Sequence, residues 1–422
     1  MDKFTSINFL IITISLIFEE KSRLNKIITP YSVTAFPFII IVLFNNFILI
    51  QYDFPPVTTR VQYFILTQLI VLWIVGYLLS NYFLRGKILT INIYGSIFDE
   101  FRRFDIVLVI IAWIAIAFIV RKILHLFALE GGWTYFVHPD YEKRIAEGLD
   151  AHMIHVGKVC FLFLIFIYKK SKHKFLILVT LLGLFIAISA IQIKYHILWL
   201  ILMAFYFRIA DKHPKTQIWN LGLVAITMLI VFNLFWIVIT LATENSNKYG
   251  GNILSYLVKQ TGTYLFTGPI LLDHWLNHAS VKPDWTLIIN LKNLINVVSG
   301  NPIRYNNVPL LNLGFERVAK DIYSNVGTAY GVYYLIGGYL FTFAMTILTS
   351  IIYYLTFFYS YIKYRFDLIF FNVFFLSLAT LTFFVQYFTS LATFEMIIVF
   401  FVFSITFKAV NILITKLHSV SY

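Results

Sequence analysis

The chain has 422 residues, of which 60% are hydrophobic and 13% charged, with a formal net charge of +13 and a mean hydropathy of +0.81. A soluble domain cannot bury that much apolar surface, so the composition predicts an all-α polytopic integral membrane protein. The positive charge fits lysines and arginines gathered in short cytoplasmic loops, which removes nucleic acid as the implied partner and leaves the lipid bilayer. A single cysteine, Cys160, excludes an internal disulfide.

In chain order, the run INFLIITISLIF near the N-terminus resembles a signal-peptide core. The following EEKSR carries no small-residue cleavage site, so it reads as a retained helix. Basic stretches then mark cytoplasmic turns: Arg85 to Arg103, KKSKHK at 169–174, RIADKHPK at 208–215, KYR at 363–365, and Lys408 with Lys416. Between these anchors the apolar runs predict about eleven spans, at 4–19, 33–50, 61–83, 105–122, 153–168, 175–193, 195–209, 218–242, 331–357, 367–387 and 392–412. This places the N-terminus outside and the C-terminus inside. The chain divides into an N-terminal bundle at 1–242, a large external loop at 243–328, and a C-terminal bundle at 329–422.

Within that loop, YLFTGPILLDHWLNH breaks at Gly268 and Pro269. Pro269 suits the first turn of a new helix, with Thr267 or Gly268 as its cap. The helix presents Asp273, His274 and His278. The two histidines are four apart, yet HWLNH lacks the glutamate of HExxH, and no metal site is predicted. WTLIINLKNLINVVSG at 285–300 has one apolar and one asparagine-rich face, as in a helix lying at the membrane interface.

The loop ends in NPIRYNNVPLLNLGFERVAKDIYSNVGTAYG, which holds Arg304, Arg317 and Lys320 beside the carboxylates Glu316 and Asp321. A guanidinium fork here could grip a phosphate; equally, Arg317 could pair with a neighbouring carboxylate. Gly337 and Gly338 read as small residues for helix packing. Gly327, in a polar turn, admits the close approach of a ligand. Asp273, Glu316, Asp321, His274 and His278 all qualify by type as a general base.

The order YLFTGPILLD (264–273), a long loop, then SNVGTAYGVYYLIGG (324–338) resembles the Wzy-type oligosaccharide repeat-unit polymerases, whose architecture extends to O-antigen ligases. Arg304 precedes Gly314 and Arg317 precedes Gly327, in the manner of the family's arginine-plus-glycine spacing. Ligases carry a histidine just before the position of Asn325, where this chain has Tyr323 and Ser324. The family's earlier external loop corresponds to the turn at Lys194 and His196.

The resemblance implies a bacterial inner-membrane glycosyltransferase without cofactor. It would join undecaprenyl-diphosphate-linked oligosaccharide repeat units on the periplasmic face, with a chain-length regulator as partner. Carried over, Arg317, Arg304, Asp273 and Glu316 would be catalytic. Lys194, His196, His274, Lys320, Tyr323, Asn325, Gly327, Thr328 and Tyr330 would bind substrate. A flippase of lipid-linked sugars shares the span count, but would more often place charges inside the spans.

Overall fold

The computed structural model describes residues 2–84, 101–130, 132, 135, 141–145, 148–191, 194–209, 216–223, 226, 227, 229, 230, 233, 234, 253–279, 281, 316–319, 322–324, 327–363, 365–384 and 391–420. They form helices α1 (Asp2–Leu24), α2 (Pro30–Phe47), α3 (Thr59–Leu84), α4 (Asp105–Glu130), α5 (Tyr141–Ile145), α6 (Leu149–Ile167), α7 (Lys174–Ser189) and α8 (Lys194–Ile209). Then come α9 (Ile253–Leu265), α10 (Gly268–His278), a hairpin of β1 (Glu316–Ala319) and β2 (Ile322–Ser324), and helices α11 (Ala329–Lys363), α12 (Phe366–Thr380) and α13 (Leu391–Val420).

Six helices among the described residues are long and apolar enough to cross a membrane: Pro30–Phe47, Thr59–Leu84, Asp105–Leu129, Ala329–Lys363, Phe366–Phe383 and Thr393–Leu413. Three more, His152–Ile167, Lys174–Ser189 and His196–Ile209, are apolar but shorter. The expectation of about eleven spans is therefore met only as a bundle of apolar helices. About half of the run 218–242 lies outside the described residues, and α1 carries Glu19, Glu20, Lys21 and Arg23 in its last turns.

Local sequence sets the starts of these helices. Thr29 caps α2 through the Ser32 amide, and Ser32 returns the bond to the Thr29 amide, with Pro30 in the first turn. Pro269 opens α10 in the same way.

The helix ends fall into two sets. One is tied together by Ser171 donating to Asp105, by Gln217 accepting from the Ile27 and Ile28 amides, and by Lys26 over the Tyr361 ring at 4.9 Å. This end also carries Arg23, Lys169, Lys170, Lys172, Lys174, Lys363 and Arg365. The opposite end is tied by Thr58 to Asp273 and by Arg60 to Asn277 and Tyr339.

Polar side chains cross-link the bundle, as they do where no water competes. Thr346 donates to Gln68 at 2.7 Å, Asn45 to the Phe266 carbonyl at 2.8 Å, and Trp199 to Ser377 at 2.7 Å. Charges are buried too. Glu20, Lys26 and Lys158 are fully enclosed, and Glu20 accepts from Thr29 and Tyr354. Of these three, Lys158 alone falls within a predicted span; Glu20 and Lys26 lie between the runs 4–19 and 33–50. Partners on other helices bring these charges into the interior, and a hydropathy window does not see partners.

A correction concerns the run 331–357. α11 is two limbs meeting at Gly337 and Gly338, which are both non-helical, and Gly338 has φ 70° and ψ −162°. That region is open essentially to glycine alone. In a straight helix Tyr330 and Tyr353 would stand about 35 Å apart at 1.5 Å per residue. Instead Tyr330 and Tyr333 line one small pocket with Thr346, Thr349, Ser350 and Tyr353. The first limb, 329–336, thus folds back against the second as a re-entrant segment. It is buried throughout, with Tyr330 stacked on Phe38 of α2 at 5.8 Å. Non-helical backbone at such a position is tolerated where protein encloses it. The two glycines, expected to serve helix packing, are the turn itself.

Candidate functional site

The end of the bundle opposite the basic loops gathers α10, the β hairpin and the turn of α11. Pairing in the hairpin sets Arg317 opposite Tyr323 and Glu316 opposite Ser324. Arg317 and Tyr323 are exposed, whereas Ile322 and Ser324 are buried. The two-residue alternation of a strand thus puts a guanidinium and a phenol together on the open face. The buried face is fixed by Thr267, whose hydroxyl donates to Ser324 Oγ at 2.8 Å.

Glu316 points to α10. Its Oε2 lies 3.3 Å from His274 Nε2, and its Oε1 accepts from Trp275 Nε1 at 3.1 Å. The His274 and Glu316 side chains are 42% and 37% exposed, so the pair is open to a ligand rather than locked in the core. The His274 and His278 rings are 5.0 Å apart. No three His, Cys, Asp or Glu side chains among the described residues are placed to hold a metal ion. A carboxylate bound to one imidazole nitrogen can take a proton from a hydroxyl.

Arg317 forms no ion pair among the described residues. Its Nε donates to the Ala319 carbonyl at 3.3 Å. Of the two carboxylates weighed as its partner, Glu316 is engaged by His274 and Trp275, and Asp321 lies outside the described residues. Asp273 accepts from Thr58 Oγ1 at 2.8 Å. Close by, Arg60 donates to Asn277 Oδ1 at 2.6 Å and to Tyr339 Oη at 2.9 Å.

Thr58, Arg60, Trp275, Asn277 and Tyr339 were not selected from the sequence. One signal did exist for Arg60: it is a cation at the end of its span away from the basic loops, against the general charge bias.

Other predicted residues sit elsewhere. Gly327 does not leave room for a ligand. A Cβ there would stand 2.1 Å from the Trp275 ring, and one on Gly331 would stand 2.8 Å from it. The indole fills the space that the two glycines open. Thr328 is buried and accepts the Gly331 amide at 3.0 Å, so it caps the re-entrant limb. Tyr330 is buried within that limb. His196 is buried in α8, with its Nδ1 in hydrogen-bond contact with Lys158 Nζ. Lys194 begins the same helix. Arg304, Lys320 and Asn325, and the amphipathic run 285–300, lie outside the described residues.

The arrangement can therefore do three things: meet an anion at exposed Arg317, accept a proton at Glu316 or His274, and offer ring faces at Tyr323 and Tyr339. No family model, curated protein or solved structure matches the chain.

Proposed function

We propose that this end of the bundle transfers a glycan from polyprenyl diphosphate to a lipid-linked repeat unit, as a Wzy-type polymerase would. The observation that carries the reading is the open His274–Glu316 pair beside Arg317, on the end without basic loops. The positive-inside rule turns that end away from the cytoplasm, where a lipid-linked repeat unit would be polymerised. The proposal includes a bacterial inner-membrane location, about eleven spans, and a chain-length regulator as partner.

In the reaction, the acceptor hydroxyl attacks the anomeric carbon of the donor. The carbon–oxygen bond to the diphosphate breaks, and the polyprenyl diphosphate leaves with the electron pair. The hydroxyl proton passes to Glu316, with His274 holding the carboxylate in place. Arg317, with Arg304 from the same external segment, would neutralise the leaving diphosphate. Tyr323 offers a face for a sugar ring, and Asp273 anchors α10 to Thr58.

The test is to delete the gene and inspect the surface glycan. Core with a single repeat unit supports polymerisation. Bare core with accumulated lipid-linked polymer means ligation.

A second reading is favoured by one observation. Glu20 and Lys158 are buried in the helices, and such charges often mark transport pathways. If the deletion strain keeps its lipid-linked repeat units on the cytoplasmic leaflet, the chain is a flippase and the polymerase reading falls.

A further inference from the structure

A second polar constellation lies on α6, α8 and α13, all helices that run in the same direction. On α6, His152, His155 and Lys158 recur every third residue in HMIHVGK, which places them along one face. α13 faces this stripe with Glu395. Its Oε1 lies 3.0 Å from His152 Nδ1 and its Oε2 lies 3.1 Å from His155 Nε2. α8 faces it with His196, whose ring centre is 6.0 Å from that of His155 and whose Nδ1 contacts Lys158 Nζ. The Trp199 ring lies 5.8 Å from the same Nζ.

The neighbouring elements add few titrating groups. α7 carries only Lys174, at its first residue. Arg121 of α4 is taken by Asp150 at 2.6 Å, and the Tyr141 hydroxyl of α5 donates to the Ala190 carbonyl.

Exposure falls stepwise along the constellation. The His152 side chain is 55% exposed, Glu395 17% and His155 10%; His196 is 3% exposed and Lys158 is fully buried. Every step but one is a direct polar contact. The remaining step, between the two imidazoles, spans ring centres 6.0 Å apart, a gap of the size one bridging water would span. His155 spends Nε2 on Glu395, and its buried Nδ1 has no hydrogen-bond partner among the described residues. It is thus a nitrogen on which a proton can arrive or from which one can leave.

We propose that His152, Glu395, His155 and His196 form a proton path from the non-basic surface to Lys158, and that Lys158 is a buried protonation site served from that side only. The ligand is the proton. Chains of imidazoles and carboxylates inside a membrane bundle are a usual means of moving it. Each transfer moves one proton from the donor nitrogen or oxygen to the next acceptor, and no bond other than N–H or O–H changes. The inference does not depend on the glycan reading, because its test involves no sugar.

The test uses the full chain in liposomes, oriented with its basic end inside, with lysine Nζ and histidine ring nitrogens labelled with ¹⁵N. The interior is buffered while the exterior is stepped between about pH 5 and 9, a range that brackets the imidazole. Solid-state NMR reads the nitrogens, with the Lys158 and His196 signals assigned from Lys158→Arg and His196→Asn. In the native chain the Lys158 and His196 signals shift with exterior pH and ignore interior pH. In His155→Gln those shifts slow at least tenfold or vanish. If His155→Gln does not fold, Glu395→Gln carries the same comparison. Signals that ignore exterior pH, that follow interior pH equally, or that respond unchanged in the variant overturn the path.

Discussion

Two regions of this molecule use the same side chains in opposite surroundings. At the α10–hairpin rim, His274 meets Glu316 with both side chains open to solvent. Between α6 and α13, His155 meets Glu395 with little of either exposed. In the first setting water weakens each charge's interaction with its neighbours and leaves the groups free to meet a ligand. In the second, fewer waters compete, each contact is stronger, and an orphaned partner is costly. The rim should therefore answer to mutation mainly through activity, and the interior mainly through stability.

The largest expected effect tests the support of the rim rather than its chemistry. Gly327→Val would drive a side chain into the Trp275 ring, whose atoms already stand 2.1 Å from an added Cβ. Overpacking of this degree costs about 3 kcal/mol. The protein should be lost from a size-exclusion profile of detergent extracts; normal recovery would show that the indole is free to move aside. Glu316→Gln comes next. It keeps the shape and removes the base, so polymer formation should fall about 10²–10⁴-fold with membrane abundance unchanged. If abundance falls instead, the rim behaves like the interior and the contrast fails.

Arg317→Ala should leave the protein level normal, because among the described residues the side chain reaches only the Ala319 carbonyl. The rate, read as the glycan ladder, should fall about 10²–10³-fold, and Arg317→Lys should recover part of it. Long chains from a normally abundant Arg317→Ala protein would take this residue out of the site.

In the interior, Glu395→Ala leaves His152 and His155 without their shared acceptor. A buried group left unmade, here His155, costs about 1–3 kcal/mol, so a clear drop in thermal midpoint is expected; an unchanged midpoint would mean that water already serves it. The smallest effect is at the basic end. Arg365 holds Asp367 through two hydrogen bonds, at 3.1 and 2.6 Å, on an open surface. Arg365→Ala should change the midpoint by less than about 1 kcal/mol equivalent, which gives the scale against which the other variants are read.

Much of the candidate site was legible before the fold. GPILLDHWLNH announces a helix start at Pro269, and α10 begins at Gly268. The cluster ERVAKDIY puts a cation, carboxylates and a phenol within a few residues, and β1 and β2 then bring Arg317 and Tyr323 side by side. The stripe at His152, His155 and Lys158 was not singled out from the sequence, and its acceptor, Glu395, stands more than two hundred residues away. Arg60 and Tyr339 belong to the rim through contacts of the same long-range kind.

The sequence by itself determined that this chain is a bundle of apolar helices with one basic end, because hydropathy and charge bias are sums over single residues that need no partner. Only the tertiary structure decided that 329–336 folds back at Gly337 and Gly338, that Trp275 occupies the space over Gly327, and that Tyr330 and His196 lie inside. The physical reason lies in the glycine pair. The same two residues permit close helix packing or a reversal at positive φ. Which occurs depends on whether the reversed limb finds an enclosing surface, and here Phe38, Trp275 and the second limb of α11 provide it.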